Sequence, residues 1–255
     1  MAKVAQLSTF DEDLYKVVGG KEDMYLAATS EQPLCAMHAN ENIEQSSLPK
    51  LYAGISTCFR KELTSHGVDA AGVFRVHQFE KVEQFAVTSP HDSWKVFERF
   101  ITTAEKFYQS LGIPYRVVNI GSKSLSKAAS KKYDLEGWFP SQGTYRELVS
   151  CSNCTDYQSR ALNIRYGFKK LGIAHTTKRS EFVHLVNATL CASQRTLSCL
   201  LETHQTPAGI RVPDPLVMYV GTSFIPFDKR EVPEEAKSLP VHHAERRGKK
   251  KETGP

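Results

Sequence analysis

The stretch Phe74-Arg75-Val76-His77-Gln78-Phe79-Glu80-Lys81-Val82-Glu83 carries residue types able to bind phosphate, a planar ring and an ammonium group. Extended, it places Arg75, His77, Phe79 and Glu83 on one face, because strand side chains alternate with period two. Arg60 and Glu62 share a face for the same reason. Guanidinium groups meet phosphate oxygens through a planar fork. An aromatic ring offers a base a stacking surface, and a carboxylate accepts from an ammonium or a hydroxyl. The set fits a site that holds a nucleotide and an amino acid together. Alternation alone leaves two plainer readings open. Arg–Glu pairs decorate neighbouring strands, and Phe79 can be a core residue.

Further chemistry lies downstream. Glu147 and Ser150 are an acidic residue and a hydroxyl, a pair able to hold Mg²⁺ bound to substrate phosphates. Their three-residue spacing puts them on opposite faces of a regular strand, so a bulge is required to aim both at one ion. Asn187 and Thr189 lie two apart at a strand end and can face one pocket. Arg195 follows amid Leu190, Leu197, Leu200 and Leu201, where it either snorkels to the surface or needs a buried anion. Cys151-Ser152-Asn153-Cys154 invites a zinc or redox reading. Zinc needs two further ligands, and there is no second C-x-x-C. Cys191 and Cys199 sit eight apart on an expected helix and do not chelate. A redox pair belongs at a strand-to-helix turn of a βαβ unit, which is not the context here. No zinc is expected.

The elements that position these residues read as follows. Met24 to Ala28 is a short strand and Ser47 to Tyr52 a turn of helix. Ile55 to Leu63 and Val73 to Thr88 form a long hairpin. Ser89, Pro90 and Asp92 open a helix whose apolar stripe runs through Trp94, Phe97, Ile101, Ala104, Phe107 and Leu111, until Gly112 and Pro114 stop it. Tyr115 to Ile120 is a strand, Ser122 to Lys131 a short helix, and Tyr133 to Pro140 and Tyr145 to Cys151 two more strands. Phe182 to Asn187 is a strand and Leu190 to His204 a helix with Leu197, Leu200 and Leu201 inward. Strands joined mostly by hairpins, with intervening helices, predict an α+β domain around an antiparallel sheet.

Composition narrows the class. The chain has 255 residues, 40% of them hydrophobic, enough for a sizeable core. No apolar run approaches the roughly 18 residues of a membrane span, and Met1 to Asp13 lacks the apolar stretch of a secretory signal. Six cysteines in such a chain point to a reducing compartment. Net charge is +5. The end of the chain holds Arg246, Arg247, Lys249, Lys250 and Lys251 against Glu245 and Glu252, a net +3 that leaves the body nearly neutral. Overall charge therefore argues no nucleic-acid footprint. Residues 231–255 read as a basic, disordered tail beyond a core of residues 1–230.

Cys58-Phe59-Arg60-Lys61-Glu62, a loop, then Phe74 to Glu83 closely resembles motif 2 of class II aminoacyl-tRNA synthetases, in the form found in seryl-tRNA synthetases. The resemblance spans about residues 5 to 227. Thr29-Ser30-Glu31 looks like the serine-recognising loop. Trp138-Phe139-Pro140 and Glu147 to Arg160 are similar to the strand block of eukaryotic members, C-x-x-C included, and Asn187 to Gln205 to motif 3. The resemblance implies a six- or seven-stranded antiparallel sheet and a cytoplasmic ligase. It would activate L-serine with ATP and pass it to tRNA(Ser), and to tRNA(Sec). ATP would touch Arg60, Lys61, Glu62, Arg75, Val76, His77, Gln78, Phe79, Glu147, Leu148, Val149, Ser150 and Arg195. Arg60, Arg75 and Arg195 would be catalytic. Serine would meet Thr29, Glu31, Arg60, Glu83, Asn187 and Thr189, and Mg²⁺ would sit on Glu147 and Ser150. The family's tRNA-gripping helical hairpin and its motif 1, which builds the homodimer, have no counterpart in these residues. The expectation is thus a compromised dimer and weak charging by this chain alone. The alternative is an impaired fragment or paralogue acting as a binding or regulatory protein.

Overall fold

Lys50–Phe59 (β1) and Gln78–Thr88 (β2) pair antiparallel from Lys50↔Val87 to Phe59↔Gln78. A computed structural model describes residues 13–20, 24–62, 73–167 and 180–227. The hairpin is cut back at its loop end, where Arg60 to Glu62 and residues 73–77 lie outside the strands, and its first strand starts earlier than expected, at Lys50. Glu62 takes a left-handed φ of +53°, which an extended chain cannot continue through. Ser47 to Tyr52 is not a helical turn. A 3-10 turn at Gln45–Ser47 gives way to β1 at Lys50, whose residues then pair with β2.

Four more strands complete the sheet: Tyr115–Asn119 (β3), Lys131–Phe139 (β4), Thr144–Asn153 (β5) and His184–Ala192 (β6). Their order is β1-β2-β6-β5-β4-β3, with every neighbouring pair antiparallel. The architecture is α+β, as expected. Ser122 to Lys131 forms only a 3-10 turn at Ser122–Ser124 before β4 begins.

Five helices flank the sheet among the described residues: Glu31–Ala36 (α1), Ser93–Ser110 (α2), Tyr157–Leu162 (α3), Ser193–His204 (α4) and Asp214–Val220 (α5). In α2, Val96, Phe97, Phe100, Ile101, Ala104 and Tyr108 recur at three- and four-residue steps and are buried against Ala86, Val149, Cys151, Val186 and Ala188 of the sheet. Each such large side chain contributes about 1.5–3 kcal/mol. Trp94 falls off the stripe and is exposed. Ser89 stands before the helix and caps a preceding turn, its Oγ accepting from the Asp92 amide at 3.2 Å. Gly112 ends the helix at φ +66°, a region that favours glycine.

The opposite face of the sheet changes character along its length. On β2, Phe79, Lys81, Glu83, Phe85 and Val87 share that face, and Leu185, Asn187 and Thr189 do so on β6. Phe85, Val87 and Leu185 join Cys35, Ile43, Leu162 and Ile164 in a second core. Beyond them the same face turns polar, and that change marks the floor of a cleft. Among the described residues no helix is long and apolar enough to cross a membrane.

Candidate active site

The cleft encloses about 320 Å³ above the polar half of β2, β6 and β5. One wall comes from Arg60, Glu62, Phe74, Arg75, Val76 and Phe79; the floor from Lys81, Glu83, Ser150, Ser152, Asn187 and Thr189; the far side from Thr29, Glu31, Lys132, Glu147, Leu148 and Arg195. Of the residues expected at the site, Lys61, His77, Gln78 and Val149 do not line it. Val149 points into the α2 core. His77 and Gln78 are exposed, the His77 ring lying 3.3 Å from the Arg60 carbonyl.

Three guanidinium groups converge. Arg60 stands with Cζ 5.2 Å from the Phe79 ring centroid, and its Nε donates to the Ala28 carbonyl at 3.3 Å. Arg75 reaches the wall from a loop, and its Nη1 donates to Glu62 Oε2 at 2.9 Å. Arg195 lies with Cζ 4.7 Å from the Phe74 centroid, and it donates to the carbonyls of Phe74 and Glu147, both at 3.3 Å. It is thus held down among protein groups instead of reaching for solvent. Burial lowers its pKa, Glu147 opposes this, and repulsion from Arg75 and Arg60 adds to the lowering.

The polar floor is built by register. Glu83 is 2% exposed and faces Thr189 directly across the strand pair. Lys81, two residues earlier on the same face, forms an ion pair with Glu83 at 2.5 Å. Asn187 donates to Glu31 Oε1 at 3.2 Å, and Thr29 Oγ1 accepts from the Glu31 amide at 3.3 Å. Lys81 was missed in the sequence, although period two places it between Phe79 and Glu83.

A bulge joins Glu147 to Ser150. Leu135 pairs with Val149 while Glu136 pairs with Glu147, so Leu148 is the extra residue on β5. The shift brings Glu147 and Ser150 to one face and both line the cleft. Lys132 Nζ lies 3.0 Å from Asp134 and 3.8 Å from Glu147. Burial, reinforced by Glu147, pushes the Asp134 carboxyl up to about 6 against the pull of Lys132.

The two thiols of the C-x-x-C lie in different surroundings. Cys151 Sγ donates to the Phe97 carbonyl in the α2 core, whereas Cys154 lines the cleft and its Sγ accepts from Asn187 at 3.6 Å. Burial pushes both thiols up, away from the thiolate a metal or a redox step requires. Cys191 is on β6, not on the helix, because α4 begins only at Ser193. A second bulge between Thr189 and Cys191 keeps that segment in the ladder with β2. Leu197, expected inward, is 51% exposed. Among the described residues no cluster of three His, Cys, Asp or Glu could hold a metal.

Comparisons with known proteins give the family. The model of the tRNA synthetase class II core domain (G, H, P, S and T) matches residues 15–204. The cytoplasmic serine–tRNA ligase of Dictyostelium discoideum is 60% identical over 229 residues, 90% of this chain and 50% of that protein. The cytoplasmic serine–tRNA ligase of Naegleria fowleri, solved in complex with AMP, shares a TM-score of 0.83 and 56% identity over 89% of this chain and 53% of that one. The seryl-tRNA synthetase of Pyrococcus horikoshii, solved with ATP, shares a TM-score of 0.79 and 43% identity over 89% of this chain and 50% of that one. The chain spans about half the length of these relatives. With a family model that matches most of its length and a fold shared at a TM-score of 0.83, the chain belongs to the family of the class II tRNA synthetase core domain (G, H, P, S and T).

Proposed function

We propose that this cleft joins L-serine to ATP, giving seryl-adenylate and pyrophosphate, as the first half of a serine–tRNA ligase reaction. The observation that carries the reading is the single sheet face on which Phe79 leads to Lys81 and then to Glu83 opposite Thr189, with Arg60 over Phe79. A base stacked on Phe79 lies beside an amino acid held at Glu83. The relatives named as serine–tRNA ligases, and the relative solved with ATP, support the same pairing of substrates.

The chain's residues then divide as follows. Thr29, Glu31, Glu83, Asn187 and Thr189 bind serine, with carboxylates for its ammonium and hydroxyl groups. Arg60 holds the α-phosphate and offsets the charge that grows there, Arg75 holds the outer phosphates, and Arg195 contributes beside the base and the γ-phosphate. Glu62 contacts the adenine edge when Arg75 turns to phosphate. Glu147 and Ser150, aimed together by the Leu148 bulge, fit a Mg²⁺ that keeps its waters and shares substrate phosphates, in place of an all-protein cage. Bound there, Mg²⁺ would neutralise charge on the outer phosphates.

The reaction needs little covalent help. A serine carboxylate oxygen attacks the α-phosphorus, the bond to the bridging oxygen breaks, and pyrophosphate leaves in line. The protein aligns the two substrates and supplies fixed positive charge, which stabilises the transition state more than the ground state. The seryl group then passes from this mixed anhydride to a ribose hydroxyl of the terminal adenosine of tRNA(Ser), or of tRNA(Sec), forming an ester and releasing AMP. The relatives' names support a cytoplasmic setting, and a homodimer is part of the same proposal. The edge strand β1, with Leu51 and Ile55 exposed, is a surface for a second subunit. A purely regulatory protein on this fold would lack some of the three arginines or the pocket carboxylates, and all of them stand in the cleft.

Exchange of labelled pyrophosphate into ATP, run with serine and with each other standard amino acid, tests this. Serine alone is expected to support rapid exchange. Exchange driven equally by another amino acid, or by none, contradicts the reading.

A further inference from the structure

Gln158 is a fully buried amide that does not touch the cleft, yet it reaches the residue that does. Its Nε2 donates to Glu31 Oε1 at 3.2 Å. Asn187 Nδ2 donates to that same oxygen at 3.2 Å. Two amides from distant elements therefore converge on one oxygen of a half-buried carboxylate at the cleft wall. Burying an amide costs free energy unless it is bonded, so an apolar side chain would suit this position better if filling space were the only requirement.

The local backbone cannot fix Glu31 alone. It is the first residue of a helix of six residues, and Ser30 in front of it makes no side-chain cap. The far side of the contact is rigidly mounted. Ser159, next to Gln158, donates to the Val183 carbonyl at 2.6 Å, and the Leu185 amide donates to the Thr155 carbonyl at 3.0 Å, which pins α3 to β6. Hydrogen bonds from neutral amides also favour the charged form of a carboxylate.

We propose that Gln158 is a positioning residue for amino-acid recognition: it locks the rotation of the Glu31 carboxylate, so that the charged group faces the substrate ammonium. The proposal rests on the reading of this cleft as a serine site. It places a specificity element outside the pocket, on α3, and it predicts a defect confined to one of the two substrates.

The test compares the full chain with Gln158→Met, which keeps the side-chain length without the donor, and with Gln158→Glu. Pyrophosphate exchange gives KM for serine and for ATP separately, and calorimetry gives ATP affinity. Gln158→Met is expected to raise KM for serine by about tenfold to a hundredfold, the usual weight of a hydrogen bond to a charged group. KM for ATP and ATP affinity should stay within about threefold. Gln158→Glu sets carboxylate against carboxylate at pH 8. At pH 6 a proton shared between them restores the donor, so its KM for serine relative to the parent should fall with pH. An unchanged KM for serine in Gln158→Met overturns the proposal. So does a parallel rise for both substrates with no acid rescue in Gln158→Glu, which marks Gln158 as purely structural. A parent chain that exchanges with an amino acid other than serine overturns the reading of the cleft instead.

Discussion

Glu83→Ala is expected to abolish serine-dependent pyrophosphate exchange, lowering kcat/KM for serine at least about a hundredfold, while ATP still binds. Glu83 is 2% exposed, faces Thr189 and is paired with Lys81 at 2.5 Å. Removing it takes away the carboxylate assigned to serine and leaves a buried ammonium unpaired. Breaking such a pair costs about 3–5 kcal/mol in whatever the site does or in stability. Glu83→Gln keeps shape and a hydrogen-bonding oxygen while removing the charge, so it separates the loss of charge from the loss of packing. The exchange assay and a calorimetric ATP titration on both variants check the expectation. Parent-like exchange in Glu83→Ala removes Glu83 from serine recognition.

Arg60→Ala should cost about 10²–10³ in the rate of adenylate formation, the usual loss when one preorganised donor to developing charge is deleted. The side chain is placed for this, with Cζ 5.2 Å from the Phe79 ring and Nε tied to the Ala28 carbonyl. Arg60→Lys should rescue poorly. An ammonium has neither the planar fork for two phosphate oxygens nor the flat surface that lies over Phe79. Rapid-quench measurement of the first turnover reads the effect without interference from product release. A rate in Arg60→Lys within about threefold of the parent would show that charge alone suffices at this position.

How far the sequence disclosed this site depends on whether period two survives locally. On β2 it does, so Phe79 and Glu83 could be placed on one face from the sequence, and Lys81 was readable by the same rule. On β5 it does not. The extra Leu148 reverses the phase between Glu147 and Ser150, and no residue type in Glu147 to Ser150 announces a bulge. A similar slip between Thr189 and Cys191 prolongs β6, so α4 starts three residues later than the leucine spacing implied. Arg75 was placed on a strand that begins only at Gln78; it reaches the cleft from the loop, paired with Glu62. Asp134 and Lys132 were invisible because their importance comes from β4 lying beside β5. Gln158 is the extreme case. A glutamine in a short helix looks like any surface residue, and only the tertiary fold turns it toward Glu31. The six-stranded order was foreseeable in class and not in detail, since hairpin logic does not tell that β6 inserts between β2 and β5.

One cleft is proposed to hold serine and ATP side by side and to join them. The most direct measurement is mass spectrometry of the product bound to the protein after incubation with serine, ATP, Mg²⁺ and inorganic pyrophosphatase. Seryl-adenylate is expected at about one equivalent per folded site, and it should disappear when serine is replaced by alanine or threonine. Bound ATP with no adenylate, in protein that calorimetry shows to bind both substrates, would contradict the proposal.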